Sequence, residues 1–365
     1  MNNCRIHLIA AARPNFMKVA PLYHALAATD WATPVLVHTG QHYDRNMSDA
    51  ILEDLGIPEP DHHLGVGSGT HAEQTGNVMI AYEKLCMAER PDWIIVVGDV
   101  NSTAACAQVG AKLWIPVVHL EAGLRSGDRT MPEEINRLIT DAIVDVLWTP
   151  SADADENLLA EGVSKDKIEL IGNIMIDSFE MLREKIEASN AQAELGLESG
   201  NYALVTLHRP SNVDTRENLA PIVDALVDVS KHLQVVFVAH PRTIAGLGKF
   251  GLDEKLAAAA NVKLLEPLPY IRFMNIVTGS RLVITDSGGL QEETTYLNIP
   301  CLTMRENTER PITVTQGSNK LVRAENLAEN LAKVLAGNWP SGSCPPLWDG
   351  KTAQRAVEKL RQRQN

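Results

Sequence analysis

Short apolar runs rich in Val, Ile and Leu recur along this chain, separated by longer stretches with helical spacing of apolar positions. Runs at 5–12, 33–38, 93–98, 115–120, 145–149 and 167–171 predict one series of strands. The pattern then restarts at 202–207, 234–239, 262–266, 281–285 and 300–304. Runs without apolar–polar alternation describe strands covered on both faces, as in parallel sheets. Their alternation with helices implies right-handed βαβ units. Two such series predict an α/β protein of two Rossmann-like, doubly wound parallel-sheet domains facing a cleft. Ligands of open α/β sheets bind at the carboxyl ends of the strands. The expected division is 1–174, 175–347 and a last segment 348–365, with Gly172-Asn173-Ile174-Met175-Ile176-Asp177 at the first boundary. The last segment carries a helix (about 349–363) behind a Pro- and Gly-rich stretch, 339–350, that lets it cross back to the first domain.

A length of 365 residues agrees with two domains, and the apolar (45%) and charged (22%) fractions are those of a globular protein. The net charge of -13 argues against nonspecific nucleic-acid binding, which needs basic faces. A small anionic ligand stays open, since it responds to local donors more than to net charge. No apolar run approaches membrane-spanning length and the start lacks a signal-peptide pattern, so no membrane partner is expected. Five scattered cysteines (Cys4, Cys86, Cys106, Cys301, Cys344) read as buried thiols of the cytoplasm, and no pair has metal-ligand spacing.

Dinucleotide binding is the common use of such a fold, but its glycine fingerprint is missing. The first predicted strand leads into Ala11-Ala12-Arg13-Pro14-Asn15, and Gly65-Val66-Gly67-Ser68-Gly69 follows His62-His63-Leu64 as a loop before a helix starting near residue 70. His62 and His63, adjacent and without partners at metal spacing, read as loop residues. A stronger signal is Thr285-Asp286-Ser287-Gly288-Gly289-Leu290-Gln291-Glu292-Glu293, which reads as strand end, glycine turn and helix start. There a backbone approaches a ligand closely, and free N–H groups with the helix dipole favour an anion such as a diphosphate. A turn capped by Asp286 or Ser287 with an acidic helix face is the plain alternative.

Polar residues also gather at the other predicted strand ends. Arg13 ends the first, with Pro14 suited to a helix start and Lys18 one turn on. Both cations suit a phosphate. Gly98-Asp99 ends the third and His119-Leu120-Glu121-Ala122-Gly123 the fourth; acidic groups at two strand ends of one sheet suggest chemistry. In Met131-Pro132-Glu133-Glu134-Ile135-Asn136-Arg137, Glu133 and Arg137 stand at i,i+4 spacing and can pair. His208-Arg209 and His240-Pro241-Arg242 end two strands of the second series. Cations (Arg13, Lys18, His208, Arg209, Arg310) and a phosphate turn describe a nucleotide-sugar diphosphate, and three carboxylates (Asp99, Glu121, Glu133) describe proton transfer. That is acid–base chemistry on a sugar, with no metal or redox cofactor implied.

These motifs together resemble the non-hydrolysing UDP-N-acetylglucosamine 2-epimerases, which have the glycosyltransferase-B (GT-B) fold. The resemblance runs nearly end to end: Arg13-Pro14 with Lys18, T-G-Q-H (39–42), G-D (98–99), H-L-E-A-G-L-R-S-G-D (119–128), P-E-E-x-N-R (132–137), G-N-x-x-I-D (172–177), H-R (208–209), T-D-S-G-G-L-Q-E-E (285–293) and T-E-R-P (308–311). It implies reversible inversion of UDP-GlcNAc to UDP-ManNAc through elimination of UDP to 2-acetamidoglucal and its re-addition, supplying surface polysaccharide. Carried over by motif, Arg13, Ser287, Gly288, Gly289 and His208 hold UDP, Glu293 the ribose hydroxyls and Arg310 the phosphates, while Phe273 lies near the uracil. Asp99, Glu121 and Glu133 move the C2 proton, with Lys18, Arg137 and His208 as further catalytic candidates. A cytoplasmic homodimer without cofactor is implied. Two departures stand out: the usual G-T-R-P-E reads A-A-R-P-N, giving Asn15, and the usual H-R-R-E reads His208-Arg209-Pro210-Ser211. The second removes an arginine that some relatives use, with residues matching Gln41 and His42, to bind an activating second UDP-GlcNAc. Both leave room for a related substrate such as a UDP-2,3-diacetamido uronate. A glycosyltransferase of the same fold is disfavoured, because the position eight before Glu293 is Thr285 and the first strand end offers Arg13 where inverting members place His. A UDP-sugar sensor would gain nothing from three carboxylates.

Overall fold

The computed structural model describes residues 3–40 and 51–364, so Gln41 and His42 lie outside the described residues, as does the side chain of Arg13. The chain divides into two compact units, Met1–Met181 with Pro346–Asn365, and Leu182–Pro345. The first division falls inside the helix Ile174–Ala188 rather than ahead of it.

The first unit contains strands β1 (Cys4–Ala10), β2 (Ala32–His38), β3 (His62–His63), β4 (Trp93–Val97), β5 (Val117–Leu120), β6 (Val146–Thr149) and β7 (Ile168–Leu170). They form one parallel sheet in the order β3-β2-β1-β4-β5-β6-β7. The second contains β8 (Tyr202–Thr206), β9 (Gln234–Val238), β10 (Val262–Leu265), β11 (Leu282–Thr285), β12 (Cys301–Thr303) and β13 (Asn319–Leu321), again parallel, ordered β10-β9-β8-β11-β12-β13. Central strands such as β4 (Trp-Ile-Ile-Val-Val) and β8 are covered on both faces, so they carry unbroken apolar runs. Two strands were not expected. β3 is the pair His62-His63 and β13 is Asn-Lys-Leu; both lie at a sheet edge, where one flank needs no apolar cover. His62 and His63 are thus sheet residues, not loop residues. Among the described residues no group of three or more His, Cys, Asp or Glu is arranged to hold a metal, and no helix is long and apolar enough to cross a membrane.

The final helix, Thr352–Arg363, belongs to the first unit. Its first N–H groups, from Thr352 and Ala353, donate to the Asp177 carboxylate at 3.0 and 2.8 Å, which satisfies donors a helix start leaves open. Arg355 donates to the carbonyls of Ile171 and Leu347, and Trp348 to that of Pro150. The G-N-x-x-I-D motif therefore serves as an anchor for the last helix.

The interior of the first unit includes buried histidines of its sheet. His7 on β1 is fully buried with Nδ1 3.1 Å from the Tyr82 hydroxyl, and its Nε2 has no partner among the described residues. Burial, with the nearby His62 and Arg5, lowers its pKa from 6.5 to about 4. His38 on β2 is lowered to about 4 as well, by burial and by His63. Between about 4 and 6.5 the unfolded chain binds more protons at these sites, so stability is lost as pH falls through that window. The variant His7→Met should be less stable than wild type at pH 7.5, with the gap narrowing toward pH 5 in urea unfolding followed by circular dichroism. A gap independent of pH would contradict the assignment.

Candidate functional site

In a doubly wound sheet the ligand crevice opens where the strand order reverses. That point lies between β1 and β4 in the first unit and between β8 and β11 in the second. Lys18 and Asp99 follow β1 and β4 at the first of these points, and His208 and Ser287 follow β8 and β11 at the second, while Glu121, Glu133, Phe273 and Arg310 are carried by other connections.

In the first unit the chain leaves β1 at Ala11-Ala12 and enters the helix Arg13–Ala27 with Pro14 in its first turn. Asn15, at the third helical position, is buried and uses both ends of its amide. Oδ1 accepts from the N–H groups of Ala12 (3.0 Å) and Ala11 (3.3 Å), while Nδ2 donates to the Val97 carbonyl at the end of β4. A carboxylate in its place has no donor for Val97, which gives the departure from the usual glutamate a local reason. One turn on, Lys18 pairs with Glu121 in a largely buried contact. Gly98, at φ +68°, sits against this pair: a Cβ there would lie 3.5 Å from Lys18 Nζ, 3.6 Å from Glu121 Oε2 and 3.7 Å from Asn15 Nδ2. Those are ordinary contact distances, so it is the positive φ that would strain a side chain at Gly98.

Asp99 follows Gly98 just ahead of the helix Asn101–Lys112, and its Oδ2 pairs with Arg137 Nη1 at 2.5 Å. The backbone here is held by side chains. Thr103 and Asn15 donate to the Val97 carbonyl, His119 to that of Gly98 and Asn136 to that of Asp99. Glu121 is more constrained still. It adopts φ +72°, a region non-glycine residues rarely enter, and its Oε1 is buried without a partner among the described residues while Oε2 takes Lys18. Strain of that kind, about 1–3 kcal/mol, concentrates at functional positions.

The pairing expected for Arg137 is corrected. The helix Pro132–Ile143 turns Glu134, Arg137 and Asp141 inward, while Glu133 is exposed in its first turn. Arg137 pairs with Glu134, not Glu133, because positions three apart share the buried face here. Glu134 also accepts from the Ser126 N–H, the Ser126 hydroxyl and the Gly127 N–H. Asp141 accepts from the Gly123 N–H, pairs with Arg125 at 2.7 Å and lies 2.5 Å from His119 Nδ1. Burial alone would raise the Asp141 pKa, but His119 and Arg125 outweigh it and hold it below the usual range. The loop 121–131 is thus fixed by two buried carboxylates of one helix.

In the second unit, Asp286 ends the β11 connection with no exposed surface. Its carboxylate does not cap the helix Gly288–Tyr296; it accepts from the N–H groups of His208 and Arg209 and from Asn212, and meets His208 Nδ1 at 3.0 Å. The half-exposed His208 ring is thereby oriented from behind, leaving Nε2 for other partners. Ser287 is the N-cap by position, with no side-chain cap bond. A Cβ on Gly288 would lie 2.7 Å from both Arg310 Nη1 and Glu309 Oε1, whereas one on Gly289 would meet nothing within 4 Å among the described residues. Arg310 packs beneath the turn on Glu292 (2.8 Å) and Glu309 (2.6 Å). Burial would raise the Glu309 pKa, but the Arg310 and Arg305 guanidinium groups hold it far below the usual carboxylate range. Gln291, fully buried, donates to the Ser287 carbonyl and accepts from Thr308 and Asn319, linking the turn to the loop that carries Arg310.

Glu293 is buried and accepts from the Tyr270 hydroxyl at 2.7 Å. Burial pushes its pKa up to about 7, with Glu292 adding to the rise and Tyr270 opposing it. Tyr270 and the half-buried Phe273 lie one turn apart on the helix Tyr270–Thr278 beyond β10. His240 is an ordinary cap: its Nδ1 accepts from the Arg242 N–H at 3.2 Å. His119, Glu134, Asp141, Asp286, Gln291 and Tyr270, which hold the candidate residues or their backbone, do not stand out in the sequence as candidates themselves. Asp286 precedes Ser287 at a strand end and Tyr270 lies one turn before Phe273 at a helix start, which is the sequence signal they carry.

Residues 24–361 match the family model described as UDP-N-acetylglucosamine 2-epimerase. The chain is 40% identical over 371 residues to UDP-N-acetylglucosamine 2-epimerase of Methanocaldococcus jannaschii, covering 98% of each. It is also 40% identical over 361 residues to UDP-2,3-diacetamido-2,3-dideoxy-D-glucuronate 2-epimerase of Pseudomonas aeruginosa, covering 98% of this chain and 99% of that one. The crystal structure of the M. jannaschii enzyme in complex with UDP-GlcNAc and UDP superposes with a TM-score of 0.87 at 39% identity, covering 98% and 99% of the two chains. With two parallel-sheet α/β units and a family match across most of its length, this chain belongs to the UDP-N-acetylglucosamine 2-epimerase family.

Proposed function

We propose that this isomerase inverts C2 of UDP-GlcNAc, giving UDP-ManNAc, by eliminating UDP to 2-acetamidoglucal and adding it back. The observation that carries the reading is Glu121: a strained, buried carboxylate with one oxygen on Lys18 and the other without a partner among the described residues, against the glycine that precedes Asp99. In the forward half a carboxylate takes the C2 proton, its electron pair forms C1=C2, and the C1–O bond breaks to release UDP. In the second half UDP re-adds at C1 and a proton reaches C2 on the opposite face. Asp99, Glu121 and Glu133 are assigned these transfers, with Lys18 and Arg137 orienting them.

UDP is assigned to Ser287, Gly288, Gly289 and His208, with Arg13, while Arg310 supports the turn. Negative charge grows on the diphosphate as C1–O breaks, so donors placed there act where charge develops. Glu293 is assigned the ribose hydroxyls and Phe273 the uracil. The family reading adds a cytoplasmic homodimer that serves surface polysaccharide. The 40% relative named for a diacetamido glucuronate favours a second reading, a 2-epimerase of that sugar.

An NMR time course with each sugar supplied separately decides between the two. UDP-GlcNAc should give a mixture with UDP-ManNAc; conversion of the diacetamido uronate alone would replace the first reading by the second, and conversion of neither would end both. Asp99→Asn should lower kcat by about 10²–10⁴-fold, the range of a lost proton-transfer group, with UDP affinity unchanged. Full turnover in that variant would remove Asp99 from the catalytic set.

The raised pKa of Glu293 gives a pH signature. A ribose diol donates to the ionised carboxylate, so binding favours the deprotonated form. Affinity for uridine, which carries no titrating phosphate, should rise as pH passes upward through about 7 and level off above it. In Glu293→Gln it should be weaker and flat with pH. A flat wild-type profile in calorimetry would contradict the ribose assignment.

A further inference from the structure

His119 and Asp141 look like an acid–base pair, with Nδ1 2.5 Å from a carboxylate oxygen and no exposed surface on the ring. Its other nitrogen excludes that use, because Nε2 lies 2.8 Å from the Gly98 carbonyl oxygen. A carboxylate and a carbonyl are both acceptors, so each ring nitrogen must carry a hydrogen. With both hydrogens engaged and no path to solvent, the imidazole has no lone pair for a substrate proton.

The contact it makes is informative. Gly98 immediately precedes Asp99, and His119 stands two residues before Glu121, so this one ring bridges the ends of β4 and β5, each just ahead of a candidate carboxylate. The Gly98 N–H is held from the same side by the Leu120 carbonyl at 3.1 Å. Gly98 thus has both its backbone groups taken by the His119-Leu120 pair while its φ of +68° turns the chain toward Asp99. Asp141 fixes the ring, and Arg125 and the Gly123 N–H fix Asp141.

We propose that His119, carrying hydrogens on both nitrogens and backed by Asp141, is a positioning residue that sets Asp99 for proton transfer. The inference rests on the epimerase reading, in which Asp99 is catalytic. His119 touches no reacting atom, and it acts through the Gly98 carbonyl. Displacing a reacting group by about 1 Å costs on the order of 10²-fold in rate.

The test uses the full-length protein with His119→Gln, Asp99→Asn and the double variant. His119→Gln should remain folded and bind UDP as wild type does, with kcat lowered by about 10²-fold and KM little changed. If the ring acts through Asp99, the double variant should be no slower than Asp99→Asn alone, because units that act together are not additive. In ¹⁵N-resolved NMR of the wild type, both His119 nitrogens should show attached hydrogens. A kcat within threefold of wild type in His119→Gln, full additivity in the double variant, or one unprotonated nitrogen would overturn the inference. His119→Phe, which keeps ring volume without donors, separates packing from hydrogen bonding: it should be as slow as His119→Gln or slower, and normal turnover would overturn the proposal. Wild-type protein without epimerase turnover would instead defeat the underlying reading, a result visible before any variant is made.

Discussion

Arg137 is almost fully buried, and its guanidinium is engaged by Glu134 on its own helix and by Asp99 at the end of β4. Removing one partner from a buried pair costs about 3–5 kcal/mol, because the remaining charge is left uncompensated. The first unit depends on this constraint. The helix Pro132–Ile143 packs with charge where most helices pack with leucine, and Glu134, Arg137 and Asp141 occupy the inward face. Together these three reach Asp99, His119, Arg125 and the backbone of Gly123, Ser126 and Gly127. Such a network is stable only when every member is satisfied, so the loop it holds has little freedom to rearrange.

The second unit solves the same problem with different residues. Asp286 gathers the N–H groups of His208 and Arg209 across the switch point, as Asp141 gathers Gly123 and His119 in the first. Beneath the glycine turn, the paired Arg310 and Glu309 side chains occupy the space a side chain at Gly288 would enter. Gly289 has nothing within 4 Å of a Cβ among the described residues. In both units a buried carboxylate shapes the backbone at the strand ends, and the residues assigned to substrate stand on what it shapes.

Much of this was legible in the chain because parallel strands need apolar residues on both faces, so central strands announce themselves as unbroken runs. The edge strands β3 and β13 escaped that logic through their His-His and Asn-Lys-Leu composition. Asp99, Glu121, Lys18 and Arg137 were legible from strand ends and motif spacing, and the structure gathers them around Gly98. What stayed hidden was which neighbour turns inward. Glu133 and Glu134 are indistinguishable in sequence, yet only Glu134 pairs with Arg137, because helix rotation is set by packing. Asn15 looked like a lost carboxylate, whereas its amide both accepts from Ala12 and donates to Val97. Asp177, in a motif that could pass for a site, caps the last helix. Hydrogen-bond partners distant in sequence decide such cases, and no local pattern reports them.

In the proposed reaction the C2 hydrogen of the sugar leaves and returns as a proton exchanged with the protein's carboxylates. Incubation with UDP-GlcNAc in D₂O, followed by ¹H NMR of the sugar ring, tests it directly. Deuterium should appear at C2 in both the recovered substrate and its epimer. Epimerisation with the original hydrogen retained at C2 would contradict proton transfer through Asp99, Glu121 and Glu133.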